Sequence, residues 1–218
     1  MNLDNEINGI LNQMHNEGAQ EKGTTGEMAV TRICEEIYQN QGGILYHSYE
    51  YTVDYEQPGN IKKHEDGSLY IEKLGTTTEI DVLLITPYKV FPIEVKAYKA
   101  SKIILTDDGI EGCAITNKSP VHQNEMHCRH LYAHLYSVLP NGSTEYIVPM
   151  VCLVDRAEVI DKRSPWQKDY IKLCILNTLK DTLNKYNVPG QYKLNLQAID
   201  KMLKEVAVGW DKYFPVRY

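Results

Sequence analysis

Apolar positions recur along the chain with two periods, and each period predicts elements. At helical spacing, Ile7, Ile10, Leu11 and Met14 predict a short polar helix over 2–15. Met28, Val30, Ile33, Cys34 and Ile37 predict a second helix over about 26–40. The Gly- and Thr-rich stretch between them, 16–26, reads as a loop. Thr24 or Thr25 would cap the second helix, and Glu27 would lie in its first turn, where exposed amides favour an anion. Gly42-Gly43 ends that helix. ILYHSYEYTV (44–53) then alternates as a strand, and the polar stretch 55–68 carries two turn signals, Pro58-Gly59 and Asp66-Gly67. SLYIEKL (68–74) reads as a short strand returning from this insertion.

The centre of the chain is β-rich. EIDVLLI (79–85) and VFPIEVKAY (90–98) are joined by Thr86-Pro87-Tyr88-Lys89, with Pro at a favoured turn position. SKIILTDDGIEG (101–112) predicts a third strand with an Asp108-Gly109 turn. A helix over 119–139 opens near Pro120, and EYIVPMVCLVD (145–155) reads as a buried strand. Amphipathic helices are expected over 164–183 and 195–208, separated by Asn187-Val188-Pro189-Gly190. The order α-β-β-β-α-β with helical ends predicts an α/β fold, a mixed sheet flanked by helices.

The central hairpin carries the chemistry. A turn at Thr86–Lys89 sets Asp81 opposite Glu94 and Glu79 opposite Lys96, with all four on one face. Val82, Leu84, Ile93 and Val95 then point into a core. Pro92 removes one ladder hydrogen bond, so a bulge fits there. Two carboxylates opposed across strands repel, and a divalent cation between them would relieve the cost. Oxygen ligands of this kind suit Mg²⁺ or Mn²⁺, completed by water and substrate phosphate. Lys96 projects a cation to the same place, suited to an attacking hydroxide or a charged phosphoryl oxygen. The spacing alone leaves open an ordinary solvated face with a Lys96–Glu79 ion pair.

Four blocks stand in order: Gly26-Glu27 opening a helix, Glu79-Ile80-Asp81, Phe91-Pro92-Ile93-Glu94-Val95-Lys96, and Ser119-Pro120-Val121-His122-Gln123. Together they resemble the nuclease-related domain (NERD) family of the PD-(D/E)XK nuclease superfamily. The resemblance covers roughly 23–155 and departs from the superfamily pattern at Ile80, where Pro is usual, and in the 55–74 insertion. It implies a restriction-endonuclease-like core of order αβββαβ plus C-terminal helices. It also implies metal-dependent phosphodiester hydrolysis, with DNA as the expected partner and endonucleolytic cutting as the expected mode. By resemblance, Asp81 and Glu94 would ligate Mg²⁺ (or Mn²⁺), with the Val95 carbonyl as a further ligand and Glu27 reaching the metal directly or through water. Lys96 would position or activate the attacking water, and Gln123 would orient water or phosphate. Lys99, His127 and His130 are candidate substrate contacts. A homodimer is conceivable, since many nucleases of the superfamily pair to cut two strands. The alternative is a catalytically weak or silent module of the same fold that binds nucleic acid or a protein.

The implied organisation is an N-terminal helical extension over 1–22, the core over 23–155, and a helical extension over 156–218 packed on the core. His127, His130 and His134 share one helical face near His122, a spacing compatible with Zn²⁺ or, more simply, with a wall of the site. Tyr46, Tyr49, Tyr51 and Tyr55 suit half-buried strand packing or, less readily, stacking on unpaired bases. Trp166, Trp210 and Phe214 read as anchors of the C-terminal helices.

Composition narrows the class further. Of the 218 residues, 43% are apolar and 24% charged, which excludes disorder as a whole-chain description. No apolar run is long enough to span a bilayer, and the start carries acids where a signal peptide carries bases, so a cytoplasmic protein without a membrane partner is expected. Five cysteines lie singly, without a C-x-x-C pair, and read as small buried hydrophobes. P-loop, dinucleotide and nucleophile-elbow motifs are missing. The net charge of −6 is uneven: residues 155–218 hold 12 Lys and Arg against 8 Asp and Glu, the remainder 11 against 21. Nucleic acid would therefore be handled by a local site, a metal or the basic C-terminal third. In the simpler reading, Lys172, Lys180, Lys201 and Lys204 are the wet faces of two helices.

Overall fold

The computed structural model describes residues 19–63, 69–98, 100–111, 119–154 and 157–208, together with Gly9 and Asn12. Helix α1 (Ala19–Gln41) starts well before its expected position and runs through the predicted loop. Ala19, Gln20, Glu21 and Lys22 are good helix formers and outweigh Gly23, Thr24 and Thr25. Glu27 therefore lies in the third turn and not at an amide-rich end. The boundary drawn at 22/23 falls inside this helix.

Gly42 and Gly43 both adopt positive φ, 75° and 137°. At Gly43 no side chain fits, because a Cβ would stand 2.1 Å from the Ile85 carbonyl oxygen. This close approach turns the chain from α1 into β1 (Ile44–Lys63), which pairs antiparallel with β2 (Leu69–Ile85). The polar insertion is thus a long two-stranded ribbon. Pro58-Gly59 sits in a register shift between Glu56 and Ile61 and does not end the strand. Asp66-Gly67 lies outside the described residues.

The turn at Thr86–Lys89 forms as predicted: the Thr86 amide donates to the Lys89 carbonyl (2.9 Å), and the Lys89 amide donates to Thr86 Oγ1 (3.0 Å). It sets β3 (Val90–Lys96) against β2 from Ile85–Val90 to Val82–Ile93, the register read from the sequence.

Next come β4 (Lys102–Leu105), β5 (Ile110–Glu111), α2 (Pro120–Leu135), β6 (Met150–Leu153), β7 (Glu158–Asp161) and α3 (Pro165–Tyr170), and then β8 (Lys172–Ile175), α4 (Leu179–Tyr186) and α5 (Leu196–Val206). The main sheet has the order β1-β2-β3-β6-β8, with β3, β6 and β8 parallel. A second sheet, β5-β4-β7, takes the strand expected as third in the main sheet. The fold is a mixed sheet flanked by helices, as the element order predicted.

Two apolar clusters cover the main sheet. One joins Val30, Ile33 and Ile37 of α1 and Leu179 and Leu183 of α4 to Val82, Leu84, Ile93 and Val95. The other joins Leu131 and Leu135 of α2 and Ile199 and Leu203 of α5 to Leu83, Ile85 and Val90.

The helix expected over 164–183 is instead α3, strand β8 and α4. A short apolar run such as Ile171–Leu176 satisfies either period, and the open edge of β6 supplies the hydrogen bonds that decide it. Lys172 is therefore a strand residue, not a helix face. The C-terminal extension is not wholly helical, since it completes the main sheet.

Tyr46, Tyr49 and Tyr51 are fully buried and not half-buried. Their rings stack in sequence at 5.1 and 5.4 Å. Tyr46 donates to Asp200 Oδ1 and Tyr49 to the Leu203 carbonyl, both at 2.7 Å, so these rings fasten α5 and are closed to bases. Trp166 anchors nothing: it is 65% exposed, stacked on Tyr170. Cys34, Cys128, Cys152 and Cys174 are buried free thiols. The predicted 2–15 helix (apart from Gly9 and Asn12), Cys113, Trp210 and Phe214 lie outside the described residues, as does Lys99. No helix among the described residues is long and apolar enough to cross a membrane.

Candidate active site

At the end of β3 the protein gathers carboxylates around one lysine. The β2–β3 ladder stops at Val82–Ile93, so Asp81 and Glu94 are not a ladder pair. Beyond that point the Val95 amide donates to Asp81 Oδ2 at 2.7 Å. Val95 thus enters the cluster through its N–H. Glu94 is fully buried. Its Oε1 is ion-paired with Lys96 Nζ, two residues along the same strand, and its Oε2 lies 3.6 Å from His127 Nε2. Neither Glu94 oxygen receives an aligned hydrogen bond. The Lys96–Glu79 pair open from spacing does not form: Glu79 sits opposite Glu50 on β1, and Lys96 turns to Glu94.

The electrostatics follow from burial and crowding of like charge. Burial first, then the neighbouring Asp81 charge, push Glu94 up to about 8, against the pull of Lys96. Burial likewise pushes Asp81 up to about 6, opposed by Lys96 and the Val95 amide. Burial works against the Lys96 charge, yet Glu94 and Asp81 outweigh it and hold the ammonium above its usual range. The charge of Glu27 is felt at Asp81, Glu94 and Lys96, so this helix residue lies within electrostatic reach of the cluster.

His47 on β1 is a member that sequence reasoning missed. Its Nε2 lies 3.8 Å from Glu27 Oε2, and this contact raises its pKa. No spacing rule flags a lone strand histidine, because its partner arrives only when α1 packs on the sheet. Asn124 was also missed, although it left a signal. With His127 it is one of two polar side chains among the buried positions of α2. Its Nδ2 donates to the Pro92 carbonyl (3.1 Å) and the Met150 carbonyl (2.6 Å), fixing α2 to β3 and β6.

Gln123 lies half-buried in the first turn of α2, and among the described residues no hydrogen bond joins its side chain to the carboxylates. His127 is buried between Glu94 and Tyr51, whose hydroxyl stands 3.3 Å from His127 Nδ1. Burial, then His130 and Lys96, lower His127 to about 4, so it is neutral. It faces a carboxylate from inside the protein, a position unlike the substrate contact expected of it. His130 approaches Tyr51 Oη (3.5 Å) and not the carboxylates. The rings of His127, His130 and His134 surround the Tyr51 ring edge-on, so the histidine stripe converges on an aromatic and not on a zinc position.

Among the described residues no group of three or more His, Cys, Asp and Glu forms a ready-made metal cage. Two neighbouring carboxyls, Glu94 fully buried and met within the chain by Lys96, nevertheless fit Mg²⁺ or Mn²⁺, which take one or two protein carboxylates and complete their shell with water and phosphate.

Comparison with known proteins bears on this arrangement. The model of a family described as nuclease-related domain, NERD, matches residues 22–154, more than half of the chain. No curated protein matches the chain.

Proposed function

The chain belongs to the nuclease-related domain family, and from that premise we propose that it is a metal-dependent nuclease acting on DNA, most simply an endonuclease. One observation carries the proposal. Glu94 is a fully buried carboxylate with neither oxygen in an aligned hydrogen bond, set beside Asp81 and Lys96. A carboxylate left in this state costs stability unless something completes it.

Asp81 and Glu94 would hold Mg²⁺ or Mn²⁺, with the Val95 carbonyl and Glu27 as supporting donors. When bound, such an ion neutralises charge on a phosphoryl oxygen and lowers the pKa of a coordinated water. The Val95 amide fixes one oxygen of Asp81 and so orients the other. Lys96 remains an ammonium and is therefore a donor, not a base. It is suited to hold the attacking water or a phosphoryl oxygen. Glu27 and His47 form a second charged pair at the rim, where a protonated His47 can meet a phosphate. Gln123 would meet substrate from the first turn of α2.

A silent nucleic-acid-binding module is the second reading. It is favoured by the Lys96–Glu94 ion pair, which already supplies Glu94 with a counter-charge inside the chain. One assay separates the two. Supercoiled and linear DNA and RNA are incubated with the protein in Mg²⁺, in Mn²⁺ and in EDTA, beside a Lys96→Ala control. Cleavage that needs both the metal and Lys96 supports the nuclease, and its absence on every substrate refutes it.

A further inference from the structure

The carboxylate cluster makes no use of the exposed Trp166 or of the excess positive charge in the last third of the chain. Both meet at the opposite end of the parallel strands. Lys96 closes β3, whereas Lys89 immediately precedes it. Seven strand residues separate those ends by roughly 20 Å. There a groove of about 420 Å³ is lined by Lys89, Lys172, Lys185, Trp166, Tyr170 and Tyr186. A smaller hollow of about 230 Å³ shares Lys172, Lys185 and Tyr186 and adds Lys168, whereas Arg163, which also lines it, is buried and ion-paired with Asp161 at 2.9 Å.

We infer that this groove binds single-stranded nucleic acid, stacking an unpaired base on Trp166 and holding the adjoining phosphates with Lys172 and Lys185. Trp166 is stacked on Tyr170 with ring centroids 5.8 Å apart and planes 17° from parallel. Its 65% exposure leaves a ring face open to solvent. Such a pair is a ready-made platform, and any base has a π-face to offer it. Lys172 and Lys185 hold their ammonium groups 5.0 and 5.3 Å from the Tyr186 ring centre, and Lys89 donates to the Glu145 carbonyl at 2.9 Å. These contacts place cations along the wall. The exposed Glu145 and Asp169 also border the groove, and Asp169 Oδ1 lies 3.4 Å from Lys172 Nζ. The cations still outnumber the acids. A groove of this size takes a base and its phosphate, not a duplex with its bases paired. Most of it is built by residues 166–188, beyond the family match at 22–154. Binding at this groove does not depend on whether the carboxylate cluster cuts.

The test uses the full chain in EDTA, so that cleavage plays no part. Fluorescence anisotropy follows a fluorescein-labelled twelve-nucleotide oligothymidylate and a duplex of the same length. The wild type binds the single strand more tightly than the duplex. Trp166→Ala weakens that binding on the order of tenfold. Lys185→Gln lowers the slope of log K against log salt by about 0.7. Both groove variants change exposed side chains, and thermal melting checks that they fold. The inference is overturned if the wild type fails to bind the oligonucleotide or prefers the duplex. It is equally overturned if folded Trp166→Ala and Lys185→Gln proteins bind like the wild type, as they would if the groove served a peptide.

Discussion

His127 Nε2 stands 3.6 Å from Glu94 Oε2, and both side chains are buried. The Tyr51 hydroxyl stands at Nδ1 and the Glu94 carboxyl at Nε2, so the imidazole is held between the two. His127 is thus a positioning residue for Glu94. Partners of this kind are typically worth 10–100-fold in metal affinity or activity. His127→Ala is expected to weaken Mn²⁺ binding by that order, measured by calorimetry, and to raise the metal concentration needed for half-maximal cleavage. Tyr51→Phe should give a smaller effect of the same sign. Unchanged Mn²⁺ affinity in a folded His127→Ala protein would refute the role.

The carboxylates and the lysine should matter for chemistry and little for folding. Asp81→Asn, Glu94→Gln and Lys96→Ala are each expected to lower cleavage by about 10²–10³-fold, judging by the loss of comparable charge-stabilising groups. Glu94→Gln should melt close to the wild-type temperature in EDTA below about pH 8, where Glu94 is itself protonated and the amide is its neutral isostere. Full cleavage by Asp81→Asn would count against the assignment.

Glu94 also predicts how stability depends on pH without metal. Folding raises its pKa from 4.5 to about 8, so between those values the folded protein holds a proton that the unfolded chain has released. Stability is greatest below the lower value and is lost as pH rises through the upper one. Asp81 shifts in the same sense, but its window closes near 6, and the opposite shift of His127 acts only below 6.5. In EDTA, urea melts between pH 6.5 and 7.5, below the range in which unfolding lets the buried thiols Cys34, Cys128 and Cys152 ionise, should therefore show stability falling by up to about 1.4 kcal/mol per pH unit. Glu94→Gln should flatten most of that slope, leaving the smaller part due to His47, which is raised as well. A wild-type slope that survives the substitution whole would show that Glu94 is not its source.

Asn124 ties the site to the fold. Asn124→Ala removes two buried hydrogen bonds and leaves the Pro92 and Met150 carbonyls without them. The expected cost is about 2–4 kcal/mol, read from urea denaturation. Cleavage should fall as well, because β3 carries Glu94 two residues beyond Pro92. A loss below about 0.5 kcal/mol would mean that α2 is held by its apolar stripe alone.

The sequence by itself determined the central hairpin. Pro87 in a four-residue turn and alternation on both sides specify one register, since a slip by a single residue would expose Val82, Leu84, Ile93 and Val95. It also determined the apolar stripes of α1, α2 and α5 and, through four ordered blocks, the family. Local pattern did not separate strand from helix at Lys172–Ile175, because a run that short satisfies both periods and the edge of β6 decided between them. Nor did it place β4 outside the main sheet. Tertiary structure alone brought Glu27 from the third turn of α1 and His47 from β1 to the rim of the carboxylates, set His127 against Glu94, and joined Trp166 to Lys172 and Lys185. Each of these meetings is between elements distant in sequence, and packing between elements, not propensity within them, fixes such distances.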